Sequence, residues 1–200
     1  MDEYLEMLET VMHKGIIIKD SGRDLKEVNN YIIKISRPSV KIDSLLKFAD
    51  KKMISFMKKN FEKRTPIEDW GYSYGERIYD YNKVNQFDLV LNKLEKNPDS
   101  KSSTMILGKP YEDKKHFPCV VSLDFKIRNN VLITTAFFRS WDICKKAIPD
   151  MYCINNLSKK IVEKFTLREQ VLIIHTCSAH VYQEDYDKAY KLIKDIKWRK

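Results

Sequence analysis

Val120-Val-Ser-Leu-Asp-Phe-Lys-Ile127, Arg128-Asn-Asn130 and Val131-Leu-Ile-Thr-Thr-Ala-Phe-Phe138 run without a break through the middle of this 200-residue chain. The first eight residues alternate apolar with polar, the pattern of a strand with one buried face. Asparagine tolerates the left-handed backbone that a tight hairpin turn requires, so the stretch reads as a β-hairpin. Downstream, Asp142 to Lys164 reads as a helix interrupted at Pro149. Gln170 to Thr176, rich in β-branched residues, reads as a central strand, and Glu184 to Ile196 as a closing amphipathic helix.

Upstream of the hairpin, Asp2 is placed to cap a helix that carries Tyr4, Leu5, Leu8, Val11 and Met12 on one stripe. Gly15 to Lys19 and Val28 to Ile35 read as two strands around the polar turn Asp20 to Asp24, with Pro38 closing the second. Asp43 to Lys58 reads as a helix with Leu46, Met53, Ile54 and Met57 on its apolar face. Trp70-Gly-Tyr-Ser-Tyr-Gly75 is too rich in glycine for a helix, and Val84 to Glu95 is a second amphipathic helix ended by Asn97-Pro98. The sum is an α+β plan, a sheet with segregated helices, in one domain over residues 1–200. There is no repeat, low-complexity tract or linker.

Hydrophobic residues make up 43% of the chain and charged residues 32%, the balance of a globular protein rather than a disordered one. Apolar runs such as Val171 to Ile174 fall far short of the ~20 residues that span a bilayer. The N-terminus MDEYLEMLET is acidic and amphipathic, unlike a secretory leader, so the expectation is a cytoplasmic protein. Cys119, Cys144, Cys153 and Cys177 form no CxxC pair and do not cluster with the four histidines, so free thiols and no metal site are expected. The chain carries 37 Lys+Arg against 28 Asp+Glu, a net +9. These cations are scattered over helix faces without a basic, aromatic-interleaved block, which argues against nucleic acid and leaves room for a phosphorylated small molecule.

Four short stretches in the second half carry more than the plan does. They are Phe117-Pro-Cys119 with Asp124-Phe125, Arg139-Ser-Trp-Asp142, Pro149-Asp150 and His180-Val-Tyr182. Cys119 precedes Arg139 by twenty residues, and Asp150 follows Arg139 by eleven. In that order and spacing they resemble the thymidylate synthase and pyrimidine nucleotide hydroxymethylase family. Tyr74-Gly75 and the helix-like run Asn85 to Ser100 match family features upstream. The resemblance implies the thymidylate synthase-type fold, a mixed sheet with segregated helices. It also implies a homodimer, a pyrimidine nucleoside monophosphate as substrate and 5,10-methylenetetrahydrofolate as cofactor.

The residue types suit that chemistry. Carbon 5 of a pyrimidine is a poor nucleophile until a thiolate adds to carbon 6, the role the resemblance gives Cys119. Arg139 would hold the nucleotide phosphate and stabilise the thiolate, with Ser140 as a further donor. His180 and Tyr182 would bind the sugar hydroxyl. Asp142 matches the carboxylate that meets the pterin, and by itself reads as a helix cap. Trp70 is the candidate for stacking on folate. Asp150 stands where thymidylate synthases place Asn. A carboxyl group suits cytosine, since it accepts from the amino group and, when protonated, donates to the ring nitrogen. Family members that hydroxymethylate cytidine nucleotides carry Asp here, so the pattern is closest to cytidylate hydroxymethylases. By itself Asp150 also reads as a helix cap after Pro149.

Three departures stand out. The paired arginines that the family lends to its partner's phosphate are replaced by Lys101 and Ser102, leaving one cation. Arg23 matches a third phosphate ligand only loosely. The family's helix glutamate falls on Lys52, leaving Glu62, Glu68 and Glu76 as candidates. The leading expectation is folate-dependent hydroxymethylation of dCMP or CMP at carbon 5. Its alternatives are methylation of dUMP to dTMP and nucleotide binding without turnover, with charge-driven DNA binding ranked last.

Overall fold

The computed structural model describes residues 2–68 and 70–198. Helix α1 (Asp2–Lys14) leads into strands β1 (Ile16–Asp20) and β2 (Arg23–Ser36). Helices α2 (Pro38–Leu45), α3 (Lys51–Glu62), α4 (Tyr74–Tyr79) and α5 (Gln86–Lys96) precede β3 (Thr104–Ile106). The hairpin β4 (Val120–Arg128) and β5 (Val131–Phe138) follows, then the two-residue β6 (Trp141–Asp142). Helix α6 (Ala147–Lys164), strand β7 (Glu169–Tyr182) and helix α7 (Tyr186–Trp198) complete the described chain.

The sheet runs β1-β2-β7-β5-β4-β3, with β6 pairing beside β7. The central strand is β7, antiparallel to β2 and parallel to β5, so the sheet is mixed. This is the α+β architecture expected of the thymidylate synthase-type fold. Asn129 and Asn130 make the hairpin turn with φ of 51° and 61°, both left-handed as a two-residue turn requires. Along β4 the alternation holds, burying Leu123, Phe125 and Ile127. It slips by one residue at Val120–Ser122, a β-bulge directly after Cys119.

Several local expectations are corrected. Asp43 to Lys58 is two helices, because the Asp50 carboxylate accepts from the Lys52 and Met53 N–H groups and starts α3 afresh. Pro38 opens α2 rather than closing a strand, its missing N–H costing nothing in a first turn. Pro149 sits in the first turn of α6 for the same reason and interrupts nothing; the helix begins at Ala147, not Asp142. The strands β2 and β7 are both longer than their β-branched centres, since they pair with each other over most of their length. Tyr74 and Gly75 belong to α4, capped by Ser73. Gly75 is required there: a Cβ would lie 2.4 Å from the Lys63 carbonyl oxygen, where α4 crosses the end of α3.

Candidate active site

A cleft of about 850 Å³ opens beside β7, within the ~300–1,000 Å³ range usual for small-molecule sites. Cys119, Arg139, Ser140, Asp142, Asp150, His180, Tyr182, Arg23 and Trp70 all line it. Lys101 does not; it stands exposed in the bend after α5.

The half-buried Cys119 is held on both sides. Its carbonyl oxygen accepts the Arg139 N–H at 2.9 Å, and the next amide, Val120 N–H, donates to the Tyr74 hydroxyl oxygen at 3.3 Å. The aromatic segment therefore builds a wall of the cleft and anchors the strand that carries the thiol. The Ser73 hydroxyl donates to the Lys63 carbonyl at 2.6 Å, and Asn60 Oδ1 accepts the Tyr74 N–H at 2.9 Å, tying that wall to α3. The Arg139 guanidinium donates to the Phe117 carbonyl (Nη2, 2.7 Å) and to Ser140 Oγ (Nη1, 3.1 Å). Ser140 Oγ lies 3.7 Å from Cys119 Sγ. A thiol, a hydroxyl and a guanidinium thus meet at one point.

Asp150 is 3% exposed. It does not cap α6, where Lys146 holds the cap position. Its Oδ2 accepts the Trp141 indole N–H at 3.0 Å, while Oδ1 is buried without a partner. Burial raises the carboxyl from 3.8 to about 7; the Asp142 charge adds to this, and Lys146 and the indole N–H oppose it. The folded protein therefore keeps a proton between these two values that the unfolded chain has released. Stability should fall as pH rises from about 4 to about 7 and level off above that. Urea midpoints measured across this window should show that slope in the wild type and a flatter one in Asp150→Asn.

His180 is buried at the end of β7, with Nδ1 3.2 Å from Ser178 Oγ; burial lowers its pKa, keeping the imidazole neutral at pH 7. Arg23 lies on the Tyr182 ring, 3.5 Å from its centroid, and pairs with Glu184. Asp142 Oδ1 accepts the Lys145 N–H at 3.0 Å, so it caps the turn before α6 rather than α6 itself. Trp70 packs edge-on against Phe56, and Lys146 Nζ sits 5.0 Å from its ring centroid.

None of Glu62, Glu68 and Glu76 lines the cleft. Glu62 and Glu68 are exposed, and Glu76 is engaged with Arg77 and Lys109. Helix α3 presents Met57 to the cleft, and Lys52 is exposed. Among the described residues, the carboxylates that do line it are Asp20, Glu27, Asp142 and Asp150. Sequence reasoning gave no role to Trp141 or Lys146. A bulky aromatic inside Arg139-Ser-Trp-Asp142 was the available signal for the first; the second needed the fold.

The thymidylate synthase family model matches residues 29–198, and the chain belongs to the thymidylate synthase family, whose members are one-carbon transferases. It is similar to proteins named as candidate thymidylate synthases in three organisms. The Methanosarcina mazei protein is 28% identical over 200 residues, covering 98% of this chain and 92% of the relative. The Methanothermobacter thermautotrophicus protein is 29% identical over 210 residues, covering 96% and 95%. The Methanocaldococcus jannaschii protein is 24% identical, covering 92% and 90%. Among the described residues, no group of His, Cys, Asp and Glu is arranged to hold a metal, and no helix is long and apolar enough to cross a membrane.

Proposed function

We propose that this chain hydroxymethylates carbon 5 of a cytidine monophosphate nucleotide, dCMP or CMP. One observation carries the choice of base: a buried carboxyl, raised to about 7 and with one oxygen unpartnered, lines the same cleft as the thiol. Near neutral pH this group is substantially protonated, a donor through its O–H and an acceptor through its carbonyl oxygen. That is the complement of cytosine's ring nitrogen and amino group.

In this reading the Cys119 thiolate adds to carbon 6, forming an S–C bond while the carbon 5–carbon 6 π electrons move to carbon 5. Asp150 donates toward the ring nitrogen, so charge does not build up on the pyrimidine. Arg139 turns from the Phe117 carbonyl to the phosphate and keeps a positive charge beside the sulfur. Ser140 adds a hydrogen bond to the phosphate, Arg23 leaves Glu184 for the same anion, and His180 and Tyr182 hold the sugar. Methylenetetrahydrofolate would supply the one-carbon unit. Trp70 and Asp142 fit it, offering a ring face and a buried carboxylate in the cleft that holds the thiol. Release of the carbon 5 proton leaves a methylene on carbon 5. Water adds to that methylene to give the hydroxymethyl group as the S–C bond to Cys119 breaks and the carbon 5–carbon 6 double bond returns.

We also propose a homodimer in which Lys101 serves the partner's phosphate. Its exposure outside its own cleft supports this, as does the second sheet face, where Ile32 is 61% exposed and Ile133, Phe137 and Ile173 are half-buried. The relatives' names favour a second reading, methylation of dUMP.

Tritium release from carbon-5-labelled dCMP, CMP and dUMP, with and without methylenetetrahydrofolate, separates the readings. Release from a cytidine nucleotide with gain of a hydroxymethyl group is the expected result, and methylation of dUMP overturns it. Asp150→Asn should lose the cytidine nucleotide by at least about tenfold relative to dUMP, the scale of one misplaced buried hydrogen bond. An unchanged preference would remove Asp150 from base recognition.

A further inference from the structure

We infer that Trp141 is the positioning residue that makes Asp150 read a single base edge. The inference rests on the function proposed above for the identity of that edge.

A neutral carboxyl group has a symmetry problem. Turned by 180° about its Cβ–Cγ bond, it exchanges the O–H and the C=O and so presents acceptor-donor where it presented donor-acceptor. The first order complements cytosine and the second complements uracil. A neutral carboxyl group free to turn in a pocket would therefore discriminate poorly between the two bases.

The geometry breaks this symmetry. The Trp141 indole carries a donor and no acceptor, and its N–H is spent on Asp150 Oδ2 at 3.0 Å. An oxygen that accepts this bond is the carbonyl oxygen of the neutral group, so the proton resides on Oδ1. Oδ1 is the buried atom that no protein group satisfies, on a side chain that lines the cleft. The indole is itself 1% exposed and packs against Phe138, with ring centroids 4.9 Å apart, so it cannot swing to follow a turning carboxyl. Trp141 thus assigns the two oxygens fixed roles. Oδ1–H is the donor for the ring nitrogen, and the remaining lone pair of Oδ2 is the acceptor for the exocyclic amino group.

The sequence supplies both partners from one short segment. Trp141 lies on β6 and Asp150 in the first turn of α6, nine residues on. The groups facing Asp150 from the surrounding elements are Lys146 at the cap of α6, Asp142 on β6, Tyr74 on α4 and Cys153 one turn further along α6. Among the described residues, none of these groups hydrogen-bonds to its oxygens; the indole alone donates to the carboxyl and so fixes its orientation.

The test uses Trp141→Phe, which removes the N–H, and a second variant carrying 3-benzothienylalanine at position 141, which keeps the bicyclic shape and replaces N–H by sulfur. Two readouts are taken. The first is the titration of the Asp150 carboxyl in nucleotide-free protein, followed by carbon-13 NMR. The second is the ratio of dissociation constants for dCMP and dUMP as a function of pH. Loss of the N–H removes a donor that favours the ionised form, so the Asp150 titration should move upward in both variants. The dCMP preference should shrink by about tenfold, the scale of one buried hydrogen bond. A merely structural Trp141 would weaken both nucleotides together in Trp141→Phe and leave the benzothienyl variant unchanged, and that result would overturn the inference. If the wild type prefers dUMP while both variants still lose discrimination, the orienting role of Trp141 stands and the cytidine assignment falls. If neither the titration nor the ratio moves, the orienting role falls, whichever base is preferred.

Discussion

Cys119→Ser should abolish carbon-5 tritium release by at least about a thousandfold while leaving nucleotide binding within a few-fold of wild type. Serine keeps the side-chain length and leaves the contacts of Arg139 and Ser140 in place, so the site still gathers the phosphate and sugar. What is lost is the sulfur, a stronger nucleophile than an alcohol oxygen and a good leaving group from carbon 6. No other thiol can substitute. Burial pushes Cys144 up to about 12 and raises Cys153 as well, and neither Cys144, Cys153 nor Cys177 lines the cleft. The measurement is label release under saturating nucleotide, paired with calorimetric binding of dCMP. Retention of a tenth or more of wild-type release would mean that catalysis does not pass through Cys119. Absence of release from the wild type together with unchanged binding in the variant would favour a nucleotide-binding protein without turnover.

The second half of the fold was legible because its signals are local. Asn129-Asn130 has one good conformational use between two alternating strands, and a β-branched run such as Val171 to Ile174 belongs at the centre of a sheet. The ends of elements were less so. Pro38 and Pro149 break a helix only in its interior, and pattern alone does not say whether a proline stands in a first turn. Asp50 is an ordinary acid in sequence; only the fold shows its carboxylate closing two backbone N–H groups and splitting a predicted helix. In the site, ordered spacing brought Cys119, Arg139, Ser140, Asp142, Asp150, His180 and Tyr182 to one cleft, since each lies near the end of a strand or the start of α6. Trp141 escaped notice because its function depends on a partner nine residues away across a turn. The candidate glutamates failed for another reason. Glu76 is bound into an ion-pair network, and such engagement has no sequence signature.

That network yields the largest expected change in stability. Arg77→Met should cost about 3–5 kcal/mol, the usual penalty for removing one partner from a buried charged cluster. The Arg77 side chain is 1% exposed. Its guanidinium pairs with Asp113 Oδ1 at 2.7 Å, Glu76 Oε2 at 3.0 Å and Glu112 Oε2 at 3.3 Å, and Lys109 Nζ joins Glu76 Oε1 at 2.9 Å. Methionine fills much of the volume, so the cost comes from Asp113 and Glu76, left with less positive charge in a site that water does not reach. The cluster also bears on chemistry. Asp113 Oδ2 accepts the Lys109 N–H at 2.5 Å, which fixes the start of the loop that ends at Cys119. That loop folds back so closely that a Cβ on Gly108 would come within 2.3 Å of the Phe117 ring. Phe117 in turn offers its carbonyl to Arg139. A shift of the loop therefore reaches both the thiol and the guanidinium, and Arg77→Met should lower label release at temperatures where the variant remains folded. Urea titration of the single variant and of Arg77→Met with Asp113→Leu checks the electrostatic origin. The double variant should recover part of the loss, because it removes an uncompensated carboxylate. A single-variant loss below about 1 kcal/mol would show that water or a rearranged Lys109 neutralises the acids.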